Sequence, residues 1–355
     1  MREKSLKGGI DNPKKQKAMI CTLSMRFQKN TLEENCETQF IERLENLKHE
    51  VDGDGVRHKM TGNIRNYGAV ITADAIYLNG SLTKFFHGTN VLPLTIDEMR
   101  EALNKLSDET GLPIYRGEVM RIDAAVNVFL SEKPKFYFRN LMETPGYDLQ
   151  KNISTVKYTK DTTEMAQSFV FYDKMMEMRK NDNATYNELR GNNIIRIEDR
   201  YLKRARTQLM KSKRKFIVAH LLTTGLQKRL LKNWLTHYEA IEKNRKAQLT
   251  MDVDGYSDIR DIYLSLGIDA NGGILNAMQY VDAVGKANGW NRNIQGNKSN
   301  KTSKVKGLLK AAHRSAIWGE TSHYISELNE AVAESEQLLS WLDEIERKSK
   351  QRLAE

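Results

Sequence analysis

The sequence predicts an α+β fold: an antiparallel-sheet domain followed by a mainly α-helical C-terminal half. Three observations carry that reading. Up to Tyr201, several segments alternate apolar and polar side chains at the period of a strand. Beyond Tyr201 the apolar residues recur at helical spacing. The 355 residues, 39% hydrophobic and 29% charged, have the length and composition of two packed units.

The first segment, to about Arg65, combines a short strand at Ala18 to Leu23 with a helical run around Leu32 to Lys48. Tyr67 to His87 is extended in pattern and broken by Gly80. Ile96 to Thr110 reads as a helix capped by Thr95, with Met99, Leu103 and Leu106 at helical spacing. Four strands follow. Arg121 to Leu130 places Ile122, Ala124, Val126, Val128 and Leu130 on one face and Arg121, Asp123, Ala125 and Asn127 on the other. Ile153 to Lys160 is the second strand. Ser168 to Lys174 is the third, with Val170, Tyr172 and Lys174 on one face. Asn193 to Tyr201 is the fourth, with Arg196, Glu198 and Arg200 together. A helix from Met175 to about Leu189 joins the third to the fourth. Ile217 to Ala247 is helical in pattern, although Gly225 interrupts it. Asp258 to Leu266 and Ile274 to Ala287 are further helices, and Asn271-Gly272-Gly273 between them is a turn. Gly289 to Lys304 reads as a polar loop. Ser322 to Lys350 is one long amphipathic helix whose stripe is Ile325, Leu328, Val332, Leu339, Leu342 and Ile345.

The formal net charge is +10, and its distribution is uneven. Lys203 to Lys215 holds seven basic residues and no acid, and so does Lys286 to Lys310, whereas the last helix is acidic. Clustered positive charge releases counterions from a phosphate backbone, which gives affinity without sequence choice. Solvated helix faces would show the same pattern. No apolar run is long enough for a bilayer, and Met1 to Lys17 lacks the apolar region of a secretory signal, so a cytoplasmic location is expected. Cys21 and Cys36 are too few for a disulfide framework, and no Cys-x-x-Cys zinc pattern occurs. Nothing resembles a P-loop, and no helix-turn-helix signature stands out.

Candidate chemistry sits on the polar strand faces. Asp123 lies between Ile122 and Ala124, where an acid needs an ion pair or a metal. Glu198 repeats the arrangement within Ile194 to Arg200. If the two carboxylates converge they could hold a hard divalent cation; otherwise they pair with Arg121, Arg196 or Arg200. Tyr172 is either half-buried packing or a nucleophile. A tyrosine attacking a phosphodiester conserves the bond energy in a phosphotyrosine ester, which a 3′-hydroxyl can reverse without ATP. A phenol with a pKa of about 10 needs activation, by a metal or by an ammonium such as Lys174. His87 is a candidate metal ligand, although a histidine beside aromatics is more often structural. No His-hydrophobic-His pair is present.

Four segments occur in the order of the gene II/X family of phage and plasmid replication proteins, which the chain resembles. They are Gly80-Ser81-Leu82-Thr83-Lys84-Phe85-Phe86-His87-Gly88-Thr89-Asn90-Val91, Arg121-Ile122-Asp123-Ala124, Tyr172-Asp173-Lys174-Met175-Met176-Glu177, and Arg196-Ile197-Glu198-Asp199-Arg200 with Tyr201-Leu202-Lys203 after it. The resemblance spans roughly Asn79 to Lys203. It implies an HUH-like nickase domain that cuts one origin strand, holds it as a 5′-phosphotyrosyl intermediate and later religates it. On that resemblance Tyr172 is the nucleophile, with Tyr158 as its competitor. Lys174 contacts phosphate or lowers the tyrosine's pKa. Magnesium or manganese is the expected ion, and Asp123 and Glu198 are its ligands or position it. Lys84, Arg121, Arg196, Arg200, Lys203, Arg204, Lys211, Lys213, Arg214 and Lys215 are assigned to DNA or to holding the carboxylates. The expected organisation is an N-terminal extension and start of the catalytic domain (1–65), a catalytic core (66–205), a basic helical DNA-binding region (206–290), and a basic linker with the long helix (291–355). Expected partners are single-stranded or supercoiled origin DNA, a host helicase and polymerase in a bacterial cell, and a second copy of the chain, with no membrane. The rivals are a non-catalytic, sequence-specific initiator or regulator, an interaction protein dimerising through its last helix, and a nuclease using metal-activated water.

Overall fold

The structure, a computed structural model, describes residues 19–51, 57–161, 166–202, 209–210, 215–243, 245–247, 256–270, 273–290, 293–294, 297–298, 301–314, 318–321 and 323–334. Ten strands form one sheet: β1 (Ile20–Gln28), β2 (Glu45–Val51), β3 (Arg57–Ile64), β4 (Tyr67–Ile71), β5 (Ala75–Ser81), β6 (Glu118–Leu130), β7 (Asp148–Lys151), β8 (Thr155–Asp161), β9 (Ala166–Asp173) and β10 (Asn193–Tyr201). Their order is β2-β3-β4-β5-β1-β6-β10-β9-β8-β7, every neighbour antiparallel. Two meanders, β2 to β5 and β7 to β10, therefore flank the central β1–β6 pair. The helices are α1 (Cys36–Glu42), α2 (Leu82–His87), α3 (Ile96–Thr110), α4 (Pro134–Phe138), α5 (Lys174–Asn181), α6 (Asn183–Glu188), α7 (Thr224–Ala240), α8 (Tyr256–Ala270), α9 (Ile274–Ala287), α10 (Lys301–Arg314) and α11 (323–334).

Alternation along the strands separates two faces of the sheet. Ile122, Ala124, Val128 and Leu130 of β6, Ile195 and Ile197 of β10, and Phe169 and Phe171 of β9 are buried together on one face. Phe40 of α1, Met99, Leu103 and Leu106 of α3, Phe138 of α4, Trp234 of α7 and Ile325, Leu328 and Val332 of α11 join the same core. Each fully buried Val, Leu, Ile, Phe or Met among them contributes about 1.5–3 kcal/mol by leaving water. The opposite face keeps its polar residues. The segment after α2, with α5 and α6, covers one end of it through Val91, Met178, Leu189 and Ile194.

Local signals explain both ends of α3. Thr95 Oγ1 accepts from the Glu98 backbone N–H at 3.1 Å, and the Glu98 carboxylate accepts from the Thr95 N–H at 2.7 Å, so α3 starts with a full capping box. It ends at Gly111, whose φ of 71° needs glycine. Several expectations need correction. The run Leu32 to Lys48 holds only the short α1, and Lys48 lies in β2. The extended stretch Tyr67 to His87 ends in α2, capped by Ser81. Lys174 is the first residue of α5 rather than the last of a strand. The single helix expected there is two, divided at Asp182 with φ −154°. The helix expected from Ile217 is a 3-10 turn, Val218–Leu222, followed by α7, with Gly225 in the first turn.

The helices α8, α9 and α10 enclose a separate small core of Ile268, Ile274, Ala277, Leu309 and Ala312, joined to the sheet unit through Met142. Part of the expected loop Gly289 to Lys304 is ordered as the hairpin β12 (Asn293–Ile294) and β13 (Asn297–Lys298), followed by the start of α10. Two further strands, β11 (Arg245–Ala247) and β14 (Trp318–Thr321), pair with each other. Of the long terminal helix, 323–334 is helical, while Leu339, Leu342 and Ile345 lie outside the described residues. Among the described residues no helix is long and apolar enough to cross a membrane.

Candidate active site

Register places the sequence candidates side by side on the polar face. Arg196 of β10 lies across from Tyr172 of β9 and from Asn127 of β6. Arg200 lies across from Asp123. Glu198, two residues from each arginine, is therefore diagonal to both Tyr172 and Asp123, within side-chain reach.

The hydrogen bonds close this cluster tightly. Tyr172 Oη donates to Glu198 Oε1 at 2.9 Å. Arg196 Nε donates to the same oxygen at 2.6 Å, Arg200 Nε donates to Oε2 at 2.7 Å, and Arg200 Nη2 completes an ion pair 2.6 Å from Oε2. Arg121 grips both oxygens of Asp123, at 2.8 and 2.6 Å. Arg196 Nη1 also donates to the Asn90 carbonyl at 2.9 Å and to Asn127 Oδ1 at 3.2 Å. Its Nη2 is buried with no hydrogen-bond partner.

Burial sets the electrostatics. Burial raises the Glu198 pKa, but Arg196 and Arg200 outweigh it and bring the pKa down to about 2. Burial pushes the Tyr172 phenol well above its usual range; Arg196 lowers it and the bonded Glu198 raises it. Asp123 is raised, by burial first, with the Arg121 bond opposing and the Glu198 charge adding to the rise. Lys174 is lowered, by burial first and then by the Arg196 charge, although Glu177 pulls it up.

Lys174 is 1% exposed, donates to Asn90 Oδ1 at 2.6 Å and is paired with Glu177. Lys174 is the residue expected to contact phosphate or to lower the tyrosine's pKa. Its ammonium is engaged by Glu177 and Asn90, while the Tyr172 phenol is held up by burial and by Glu198. Tyr158 sits on the other side of the sheet. It is fully buried in the helix-covered core, and its hydroxyl donates to the Met142 carbonyl at 2.6 Å. His87, at the end of α2, lies with Nε2 3.9 Å from Glu98 and edge-on to Phe86. Lys84 is half-buried in the same helix, and Lys215 is exposed. Lys203, Arg204, Lys211, Lys213 and Arg214 lie outside the described residues.

The donor set does not suit a resident divalent ion as it stands. All four oxygens of Asp123 and Glu198 are taken by guanidinium groups. Among the described residues no three His, Cys, Asp or Glu side chains gather as a metal site, so His87 does not join the two carboxylates in one. A magnesium-type ion fills much of its shell with water and substrate phosphate beside one or two carboxylates, so it is the guanidinium pairing of these two that opposes it here. What the cluster offers instead is a phenol, a carboxylate that accepts its hydrogen bond, and three guanidinium groups of the kind that binds phosphate oxygens.

Two asparagines had no assigned role in the sequence reading. Asn90 supplies a side-chain oxygen to Lys174 and a carbonyl to Arg196, and Asn127 Nδ2 donates to the carbonyls of Asn90 and Val91 at 3.2 and 2.5 Å. Both were visible in the sequence, Asn90 in the first resemblance segment and Asn127 on the polar face of β6. A second polar cluster lies on the helix-covered face. Asp199, fully buried, accepts from Gln167 at 2.9 Å and Tyr201 at 2.7 Å and meets His237 Nδ1 at 2.8 Å, which ties α7 to the sheet. In comparisons with known proteins, no family model matches the chain and no curated protein matches it significantly.

Proposed function

We propose that the chain initiates rolling-circle replication by nicking one origin strand through Tyr172 and later religating it. One observation carries this reading: the Tyr172 hydroxyl is bonded to Glu198 inside a cluster of three arginines on the polar face of the sheet. A tyrosine there needs a proton acceptor and a phosphate clamp, and both are adjacent. In the nicking step the phenolic oxygen bonds to phosphorus and the P–O3′ bond breaks. The phenolic proton passes to Glu198, and the leaving 3′-oxygen takes up a proton. The product is a 5′-phosphotyrosyl ester, and attack on it by a 3′-hydroxyl restores the diester and frees Tyr172.

A carboxylate with a pKa of about 2 is a weak base. An entering phosphate competes for Arg200, whose side chain is 27% exposed, and for Arg121, at 33%. Drawing Arg200 away removes one of the two guanidinium groups that hold the Glu198 pKa down, so substrate binding raises the basicity of Glu198 while Arg196 stays bonded to it. The arginines then stabilise the charge that builds on phosphorus oxygens. The sheet with its site on one face fits an HUH-like nickase domain that lacks the His-hydrophobic-His pair. Magnesium or manganese dependence remains an expectation to be tested by chelation, with no step assigned to the ion. DNA, the host replication machinery and a second copy of the chain are the proposed partners.

The test is covalent capture. The protein is mixed with labelled single-stranded and supercoiled DNA from its own replicon, then denatured. Label that migrates with wild type but not with Tyr172→Phe supports the reading. Cut DNA that is never trapped replaces it with a water-activating nuclease. A second reading, a non-catalytic initiator or regulator, is favoured by one observation: every carboxylate oxygen of the cluster is already paired, as in a purely structural network. It predicts bound but uncut DNA.

A further inference from the structure

We infer that α8 and α9 form a helix-turn-helix whose second helix reads the major groove of duplex DNA. The inference rests on the proposed function only in taking DNA as the partner, and it separates duplex recognition from the strand chemistry on the sheet. In the sequence three residues, Asn271 to Gly273, separate α8 from α9, a spacing of helix-turn-helix length, and Gly273 directly before α9 has a φ of 103°, a value that favours glycine. Ile268, Ile274 and Ala277 close the pair's inner side together with Leu309 and Ala312 of α10.

The outer side of α9 is uncovered. Asn276, Gln279, Tyr280 and Ala283 are exposed at helical spacing, with Tyr280 at 64%. Amide side chains read adenine edges, and an α-helix fits the major groove. The acid on this helix, Asp282, is neutralised by Lys306 of α10 at 2.5 Å. A methyl group added at Gly285 would lie 2.4 Å from Thr302 Oγ1, so the start of α10 packs directly on the end of α9. That contact brings Lys301 to the same end as Lys286. Both are exposed and make no ion pair among the described residues. Between 256 and 314 the sequence has nine basic residues against four acidic ones, which complements a phosphate backbone.

The experiment uses the full chain carrying Tyr172→Phe, so that nothing is cut, and measures its binding to short duplexes tiling its own replicon, to an unrelated duplex and to single strands. The unaltered α9 should prefer one replicon duplex. Gln279→Ala with Tyr280→Ala should lower that preference by about tenfold and leave the unrelated duplex unchanged. Lys286→Ala should weaken all duplexes alike and reduce the salt slope by about one. Covalent capture on single-stranded DNA by the same α9 variants in the Tyr172 background should equal wild type, which also shows that they fold. No duplex preference in the starting protein, or a preference that survives the double substitution, overturns the inference. So does an equal loss on duplex and single strand. An α9-dependent preference without any capture by wild type would instead remove the nickase reading and leave this one standing.

Discussion

Replacing Glu198 by glutamine tests whether the polar cluster is a paired, high-stakes network or a loose surface feature. Glu198 is 5% exposed and accepts from Tyr172, Arg196 and Arg200. Glutamine keeps one acceptor and turns an N–H donor toward guanidinium groups. Arg196, 2% exposed, then keeps its charge with neutral acceptors alone, Asn90 and Asn127 among them. Breaking a buried pair on one side costs about 3–5 kcal/mol, because the other charge is left behind. The pH dependence points the same way. The folded carboxyl, at about 2, lies below its ordinary 4.5, so its contribution is full above 4.5 and is lost as pH falls toward 2. A difference of that size is worth roughly 3 kcal/mol. Asp123, with its pKa raised, acts in the opposite sense and weakens the fold as it ionises. Urea denaturation of wild type and Glu198→Gln at neutral and acid pH measures both effects. The variant should unfold at lower urea near neutrality and lose much of wild type's acid sensitivity below pH 4.5. A difference under about 1 kcal/mol, the value of an exposed pair, would refute the argument.

Two further outcomes follow from geometry. Tyr158→Phe should capture DNA as wild type does, because the phenol points into the helix-covered core; its lost bond to Met142 should cost about 1 kcal/mol in thermal or urea unfolding. Capture that fails with Tyr158→Phe while the fold persists would move the nucleophile. Gly80→Ala places a methyl group 2.7 Å from the buried Tyr67 ring and should destabilise by about 1–3 kcal/mol, read as a lowered melting temperature. An unchanged melting temperature would mean that the ring yields.

The strands Asn193 to Tyr201 and β6 were legible because β-branched and other apolar residues recur at every second position, although both strands are buried on both faces over much of their length. Ile96 to Thr110 was equally clear because its cap is encoded locally. What failed were elements whose identity depends on distant contacts. Glu45 to Val51 is charged enough to read as a helix surface, and only pairing with β3 makes it a strand. Lys301 to Arg314 was hidden by a polar sequence whose few apolar residues meet a small core supplied by α8 and α9. For the site, the sequence showed which faces carried Asp123, Tyr172 and Glu198, but not that arginines would saturate both carboxylates. That depends on the register between β6, β10 and β9, which is a property of three strands at once.

The position of β1 bears on how the chain comes off the ribosome. Its partner on one side, β5, begins about fifty residues later, whereas its partner on the other, β6, follows at almost twice that distance. If β1 pairs with β5 as the chain emerges, it keeps a bare edge of backbone donors and acceptors, with Leu23, Met25 and Phe27 along it, until Glu118 to Leu130 has followed. The arrival of β6 removes that sticky edge. In the same docking event Asp123 is set opposite Thr22, so the protection of the young sheet and the first assembly of its charged face happen together.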